Sequence, residues 1–378
     1  MDLSNVSAAR LDHAKVVDLF ERARKEVDEG HLPSCQVAIA RNGIVGATAT
    51  FGAPEASRYV IYSATKPVVA LAMWLLLDEG LFRVEDPVSD HIPEFATNGK
   101  RDITIEQVML HTAGFPRASL TSPDWETRQG RLAAFAKWYT NWEPGSRYEY
   151  HPESAHWVLA ELIERGSGVP YRQFIAERVI GAFGLTRLQL GVPIDQPRDI
   201  NDVVAIGNAI TADELEAALG IRELPRSTVT PEGLIRLSTP YGCTIGLPGG
   251  GGVSNASDLA LFYQHLLNGC DGLLSDEAYQ DFTVNVRNTM SDFLGTPANR
   301  TLGMTVAGAD GKASLRGMGK TVSPATFGHN GAGGQIAWAD PETGISFVYL
   351  TNGLDQHPIR EARRTTAIAS RAGACAQA

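Results

Sequence analysis

Residues 58–80 read RYVIYSATKPVVALAMWLLLDEG, and from Val68 to Leu77 every residue is apolar. A helix that is apolar all round offers no face to water, so protein has to surround it. The run is too short to cross a bilayer, and Lys66 on one side and Asp78-Glu79 on the other bound it. It predicts a helix at the centre of a large core. Pro67 fixes where that helix begins: it has no N–H to give the carbonyl of Ser63, so it is tolerated only in the first turn. Ser63 therefore falls at or just before the helix N-terminus, where unpaired N–H groups favour a developing negative charge.

On such a helix Lys66 lies on the same face as Ser63, three residues back. A serine hydroxyl is a weak nucleophile and needs a base. A lysine amine is protonated in water, but an apolar setting disfavours the charged form and turns it toward a proton acceptor. The structural alternative is a capping serine beside a lysine whose stem covers apolar surface.

The rest of the chain supplies a frame for that helix. Val16, Leu19, Phe20, Ala23 and Val27 share one face of a helix over 8–29, and Gly30 ends it. Residues 35–51 read as two strands around Asn42-Gly43, a strong hairpin signal. A second hairpin follows near the other end, over 335–340 and 345–352, and a helix over 358–372 closes the chain. The inferred architecture is α/β (α+β). An antiparallel β-sheet from both chain ends is flanked by helices, and a mainly helical lobe is inserted into it. Residues 1–66 and 241–378 form the sheet lobe and 67–240 the helical lobe, with the active site at their interface. At 378 residues a division into two lobes is expected.

Composition excludes several function classes. The formal charge is −10 with no basic block, against a nucleic-acid or membrane partner. There is no G-x-S-x-G, no G-x-G-x-x-G, no P-loop and no H-E-x-x-H. The histidines form no ligand pattern, and Cys35, Cys243, Cys270 and Cys375 are scattered. Neither a metal nor another cofactor is expected. The first residues carry no apolar signal segment, so a cytoplasmic location with free thiols is the expectation. Oligomeric state is not legible.

Ser63-Ala-Thr-Lys66 does not stand alone. EPGSRYEYHPESAHW (143–157) follows a Pro-Gly, and HNG (329–331) precedes AGGQIAW. LFRVEDPVSDHIPEF (81–95), ITIEQVMLHTAGFP (103–116) and GGGGVSNASDLALF (249–262) add further stretches in order. Together these resemble the penicillin-recognising serine hydrolases: class C β-lactamases, D-alanyl-D-alanine peptidases and, most of all, the family VIII carboxylesterases. The resemblance covers about residues 35–355. It implies a β-lactamase/transpeptidase-like fold with Ser63 as the acylated nucleophile and Lys66 and Tyr150 sharing the proton transfers. It implies an oxyanion hole from the N–H groups of Ser63 and Ala332. His329, Gly331 and His151 are expected at the substrate. Phe115, Trp125, Tyr139, Trp142 and Trp338 are candidate pocket aromatics, and His111 and Thr112 are expected to shape the loop beneath the site.

Two departures bear on substrate. Where the family has Tyr-x-Asn, this chain has Tyr150-His151-Pro152, which removes a side-chain amide that would bind a substrate's acylamide. His329 stands where most β-lactamases have lysine, and a neutral imidazole attracts a carboxylate less than an ammonium does. Both lean toward small carboxylic esters. A β-lactamase, a D-alanyl peptidase, a small-amide hydrolase or an acyltransferase would use the same first half-reaction. A non-catalytic binding relative is the remaining alternative.

Overall fold

The computed structural model describes residues 1–225 and 227–377. Its main sheet has six antiparallel strands, in the order Ile44–Phe51, Cys35–Arg41, Ile345–Thr351, Ile336–Asp340, Phe327–Gly328 and Thr305–Val306. The first two are the Asn42-Gly43 hairpin, whose turn residues have φ of 59° and 77°, the left-handed pair that a two-residue hairpin requires. The chain's two ends meet where Cys35–Arg41 pairs with Ile345–Thr351, from Cys35 opposite Thr351 to Arg41 opposite Ile345.

Both faces of this sheet are covered, so its central strands are buried along their length. Side chains alternate across it. Val37, Ile39, Trp338, Phe347 and Tyr349 join a cluster with Leu19, Phe20 and Ile368 from the terminal helices His13–Asp28 and Pro358–Ala372. Ala38, Ala40, Ala337, Ala339 and Val348 face the opposite way, into the cluster containing the helix Ala256–Leu267. Alanines on that face let a helix approach closely. Gln264 ties the helix down: its amide donates to Ala40 O, Gly344 O and Ser346 Oγ, and its carbonyl accepts from Gly43 N.

The second cluster continues into the mainly helical part of the chain, centred on the helix Lys66–Asp78. That helix is buried from Lys66 to Leu77, as its composition demands. Trp74 Nε1 donates to Leu302 O at 2.8 Å and anchors it. The helix Ser154–Ser167 packs beside it. A small antiparallel sheet, with Gly252–Ser254 between Tyr59–Val60 and Gln189–Leu190, leads the chain up to the start of the buried helix. No helix among the described residues is long and apolar enough to cross a membrane. The four cysteines are buried free thiols.

Candidate active site

Ser63 lies on a short 3-10 turn, Tyr62–Thr65, that runs directly into the helix Lys66–Asp78. Tyr62, just before it, has φ 45°, a conformation that a bulky residue adopts only under constraint from its surroundings. The turn is held from outside by Gly252, which accepts from Ile61 N and donates to Thr65 Oγ1.

Lys66 is 1% exposed. Its Nζ lies 3.2 Å from Ser63 Oγ and donates to Pro152 O at 2.7 Å and Gly249 O at 2.6 Å. Burial, and then the nearby Arg300 guanidinium, hold its pKa well below the usual lysine range, with Glu153 acting weakly in the other direction. Nζ also sits 5.1 Å from the centre of the Tyr150 ring.

Tyr150 brings its hydroxyl to the same place. Ser63 is close enough to favour its ionisation, yet no atom completes a hydrogen bond to the buried hydroxyl oxygen. Burial pushes this phenol up to about 12, against the pull of Arg300 and Ser63. The segment carrying it is pinned to the 111–115 loop: His151 N donates to His111 Nδ1, Phe115 N to His151 Nε2, and Ser154 Oγ to Phe115 O. His111, with φ 58°, presses its ring against Tyr150 at 4.7 Å.

Gly331 and Ala332 approach from the sheet edge. A Cβ on Gly331 would come within 2.2 Å of Ile61 O, so only glycine lets this strand end reach the turn that carries Ser63. Ala332 opens a short helical turn, which leaves its N–H among the unpaired groups of a helical start. Ala332 and Ser63 line one pocket of about 300 Å³. Tyr62, Leu120, Trp125, Leu234, Tyr241 and Leu247 give it a largely apolar wall.

Three expectations need correction. His151 does not meet substrate. It is 0% exposed, with Nε2 accepting from Phe115 N and Nδ1 donating to Glu149 O at 2.6 Å, and burial lowers its pKa to about 3. The side chain of His329 is likewise turned inward. A guanidinium only donates, so His329 Nε2 accepts from Arg300 at 3.2 Å and Nδ1–H donates to Asn330 O. This leaves a neutral ring with both nitrogens engaged, and burial and then Arg300 hold its pKa well down. Of the candidate aromatics only Trp125 lines the pocket. Phe115 and Trp338 are core residues, Tyr139 is exposed, and Trp142 meets His151 edge to face and lies under Arg147.

Two residues escaped the sequence reading. Arg300 is 6% exposed and has no carboxylate in ion-pair range among the described residues. Its guanidinium lies 5.3 Å from the Tyr150 ring centre, and Nε donates to Tyr148 Oη. It is the permanent cation behind Lys66 and Tyr150. Glu153 is the second: it follows Pro152 and lines the pocket with Ser63. No motif marks either one. A lone arginine inside ANRTLGM, between apolar stretches, is the only signal Arg300 leaves.

Comparison with known proteins places this geometry in context. The Mycobacterium tuberculosis protein Esterase/beta-lactamase LipL is 29% identical over 319 residues, which span 78% of this chain and 69% of that protein. A penicillin-binding protein homologue from Caulobacter crescentus superposes with a TM-score of 0.76 at 23% identity, covering 95% of this chain and 97% of that one. A family VIII carboxylesterase gives 0.75 at 22% identity, with the same coverage. At such identities the two structures establish a shared fold. The sequence model described as Beta-lactamase matches residues 19–371, nearly the whole chain, and the protein belongs to the Beta-lactamase family.

Proposed function

We propose that this protein hydrolyses small carboxylic esters through an acyl-enzyme on Ser63. The observation that carries the reading is the setting of the Lys66 amine. A neutral amine has two N–H bonds and one lone pair. The carbonyls of Pro152 and Gly249 take the two N–H bonds, and the lone pair is left for Ser63, 3.2 Å away. Burial and Arg300 favour that neutral form.

In the proposed reaction Ser63 Oγ attacks the ester carbonyl as its proton passes to Lys66 Nζ. The carbonyl oxygen becomes an oxyanion held by the N–H groups of Ser63 and Ala332. Collapse breaks the bond to the alkoxide, which leaves with a proton delivered from Lys66 through the Tyr150 hydroxyl. Water then attacks the acyl-enzyme and gives its proton to the same pair; collapse breaks the bond to Ser63 Oγ, which takes that proton back as the carboxylic acid is released. Tyr150, poised between a neutral amine and the Arg300 cation, works as a relay rather than as a free-standing base, and the two groups titrate as a unit. Arg300 keeps the amine neutral and compensates negative charge as it moves onto the phenol.

The preference for esters over β-lactams rests on Pro152. It lines the pocket beside Ser63 and offers a substrate amide no side-chain partner. A parallel assay of p-nitrophenyl butyrate and a chromogenic cephalosporin, with wild type and Ser63→Ala, tests the proposal. Fast ester turnover, slow lactam turnover and loss of both in the variant are expected. Fast lactam turnover would move the protein to the β-lactamase alternative. Ester turnover that survives Ser63→Ala would overturn the assignment of the nucleophile.

A further inference from the structure

Glu153 poses an electrostatic problem for an acyl-transfer site. It lines the substrate pocket next to Ser63. It stands at the N-cap of Ser154–Ser167, and its side chain makes no capping hydrogen bond. The one charged group that acts on it is Lys66, and partial burial outweighs that pull and raises its pKa. Lys66 itself is held toward its neutral form. Arg300 does not line this pocket; it lines a smaller cavity with Lys66, His111, His156 and His329. Arg236, the other charged residue lining the pocket, is exposed to solvent and screened by it. A carboxylate without a close counterion beside a developing oxyanion raises the barrier to acylation, unless the substrate brings the missing positive charge.

We propose that the pocket selects esters whose acyl chain carries an ammonium group, with the Glu153 carboxylate as its counterion. This rests on the ester-hydrolase reading and names the substrate class of the same site. The ammonium neutralises Glu153 and adds a positive charge near the oxyanion, so its benefit falls on acylation as well as binding. Apolar walls from Leu120, Leu234 and Leu247 then pack the methylenes of the chain.

The methyl ester of β-alanine and methyl butyrate differ only by an ammonium in place of a terminal methyl, and they form the test pair. The ratio of their kcat/KM values is measured for wild type, Glu153→Gln and Glu153→Asp. The amino ester is expected to be preferred by wild type. That ratio falls about tenfold or more in Glu153→Gln, the loss expected for a close charge pair. It is largely kept in Glu153→Asp, which retains the charge. An unchanged ratio in Glu153→Gln overturns the proposal. So does an equal fall in Glu153→Asp, which would make the effect one of shape. Should Glu153→Gln not fold, propylammonium is tested as a competitive inhibitor of methyl butyrate hydrolysis by the wild type. Inhibition stronger than that by 1-propanol is expected, and equal inhibition overturns the proposal. A wild type that cleaves neither ester overturns the ester reading itself, an outcome distinct from cleavage without preference.

Discussion

Replacing Lys66 separates the chemical role of its amine from the structural one. The amine is the sole donor that Pro152 O and Gly249 O have among the described residues. Leaving a buried carbonyl unpaired costs roughly 1–3 kcal/mol. Lys66→Ala also removes three buried methylenes, at about 0.8 kcal/mol each. Water from the adjoining pocket can reach part of the gap and recover some of this. The expected loss of stability for Lys66→Ala is about 4 kcal/mol, and about 2 kcal/mol for Lys66→Met, which keeps the hydrocarbon volume. The catalytic loss should be the same in both, because neither supplies a base. General base catalysis is worth about 100- to 10,000-fold, so kcat/KM should fall about 1,000-fold in each variant. Urea unfolding followed by tryptophan fluorescence gives the first quantity, and p-nitrophenyl butyrate hydrolysis gives the second. Lys66→Met turnover within about tenfold of wild type would refute the role of the amine as base. A Lys66→Ala protein as stable as wild type would refute the claim that the two carbonyls depend on it.

Other perturbations read the neighbours of that amine. Arg300→Met removes a cation that, after burial, is the main force depressing Lys66. The pKa of Lys66 then rises, and since the neutral amine is the active form, the acid limb of the kcat/KM profile moves to higher pH. Arg300→Lys restores the charge and should return the limb toward its original position, whereas a purely structural role would leave the limb in place in all variants. Gly331→Ala puts a Cβ 2.2 Å from Ile61 O and pushes on the turn carrying Ser63, so kcat should fall about 100-fold, the cost of misplacing one oxyanion donor. Retention of wild-type kcat would show that the strand end does not position the turn. Pro152→Asn keeps the main-chain carbonyl that Lys66 uses and adds a side-chain amide, so acylation by a chromogenic cephalosporin should rise about tenfold, the worth of one hydrogen bond. No rise would mean that residue 152 does not reach a substrate amide.

The parts of the protein that the sequence announces are those decided locally. Asn42-Gly43 commits the first hairpin because its turn needs two left-handed residues in succession. Asn255 caps its helix through Asp258 N at 2.8 Å, as its position suggests, although the Asp258 carboxylate turns away to Arg187 N. Ser63 and Lys66 are three residues apart on one helical surface, so their approach needs no knowledge of the rest of the fold. Trp338 could have been withdrawn from the pocket on strand periodicity alone. It alternates with Ala337 and Ala339 and so points to the face opposite theirs, onto Phe347. The orientation of His151 is different. It is set by Phe115 N, 36 residues away in sequence, and nothing within Tyr-His-Pro hints that the ring turns inward. Arg300 likewise meets Tyr150 and His329 only through the tertiary fold, where a bridge to Thr305 ties it to the edge strand of the sheet.

That contrast bears on how the site holds its proton acceptor. The chain places the Ser63–Lys66 pair where a 3-10 turn runs into a helix buried from Lys66 to Leu77, and then fixes the amine with main-chain oxygens from two remote segments, at Pro152 and Gly249. Carbonyls carry no proton to lose and accept from an amine in either charge state, so they hold Nζ in place through the whole reaction while its pKa is free to be set by burial and Arg300. A carboxylate in the same position would hold the amine as firmly but would favour the ammonium and silence it as a base. The arrangement is tight. A Cβ on Gly249 would stand 2.8 Å from Pro152 O and 3.4 Å from Lys66 Nζ, and Gly249 belongs to the glycine run that leads into the strand supporting the Ser63 turn. The glycines of 249–252 therefore act less as a flexible loop than as the gap through which one strand comes close enough to fix a lysine without charging it.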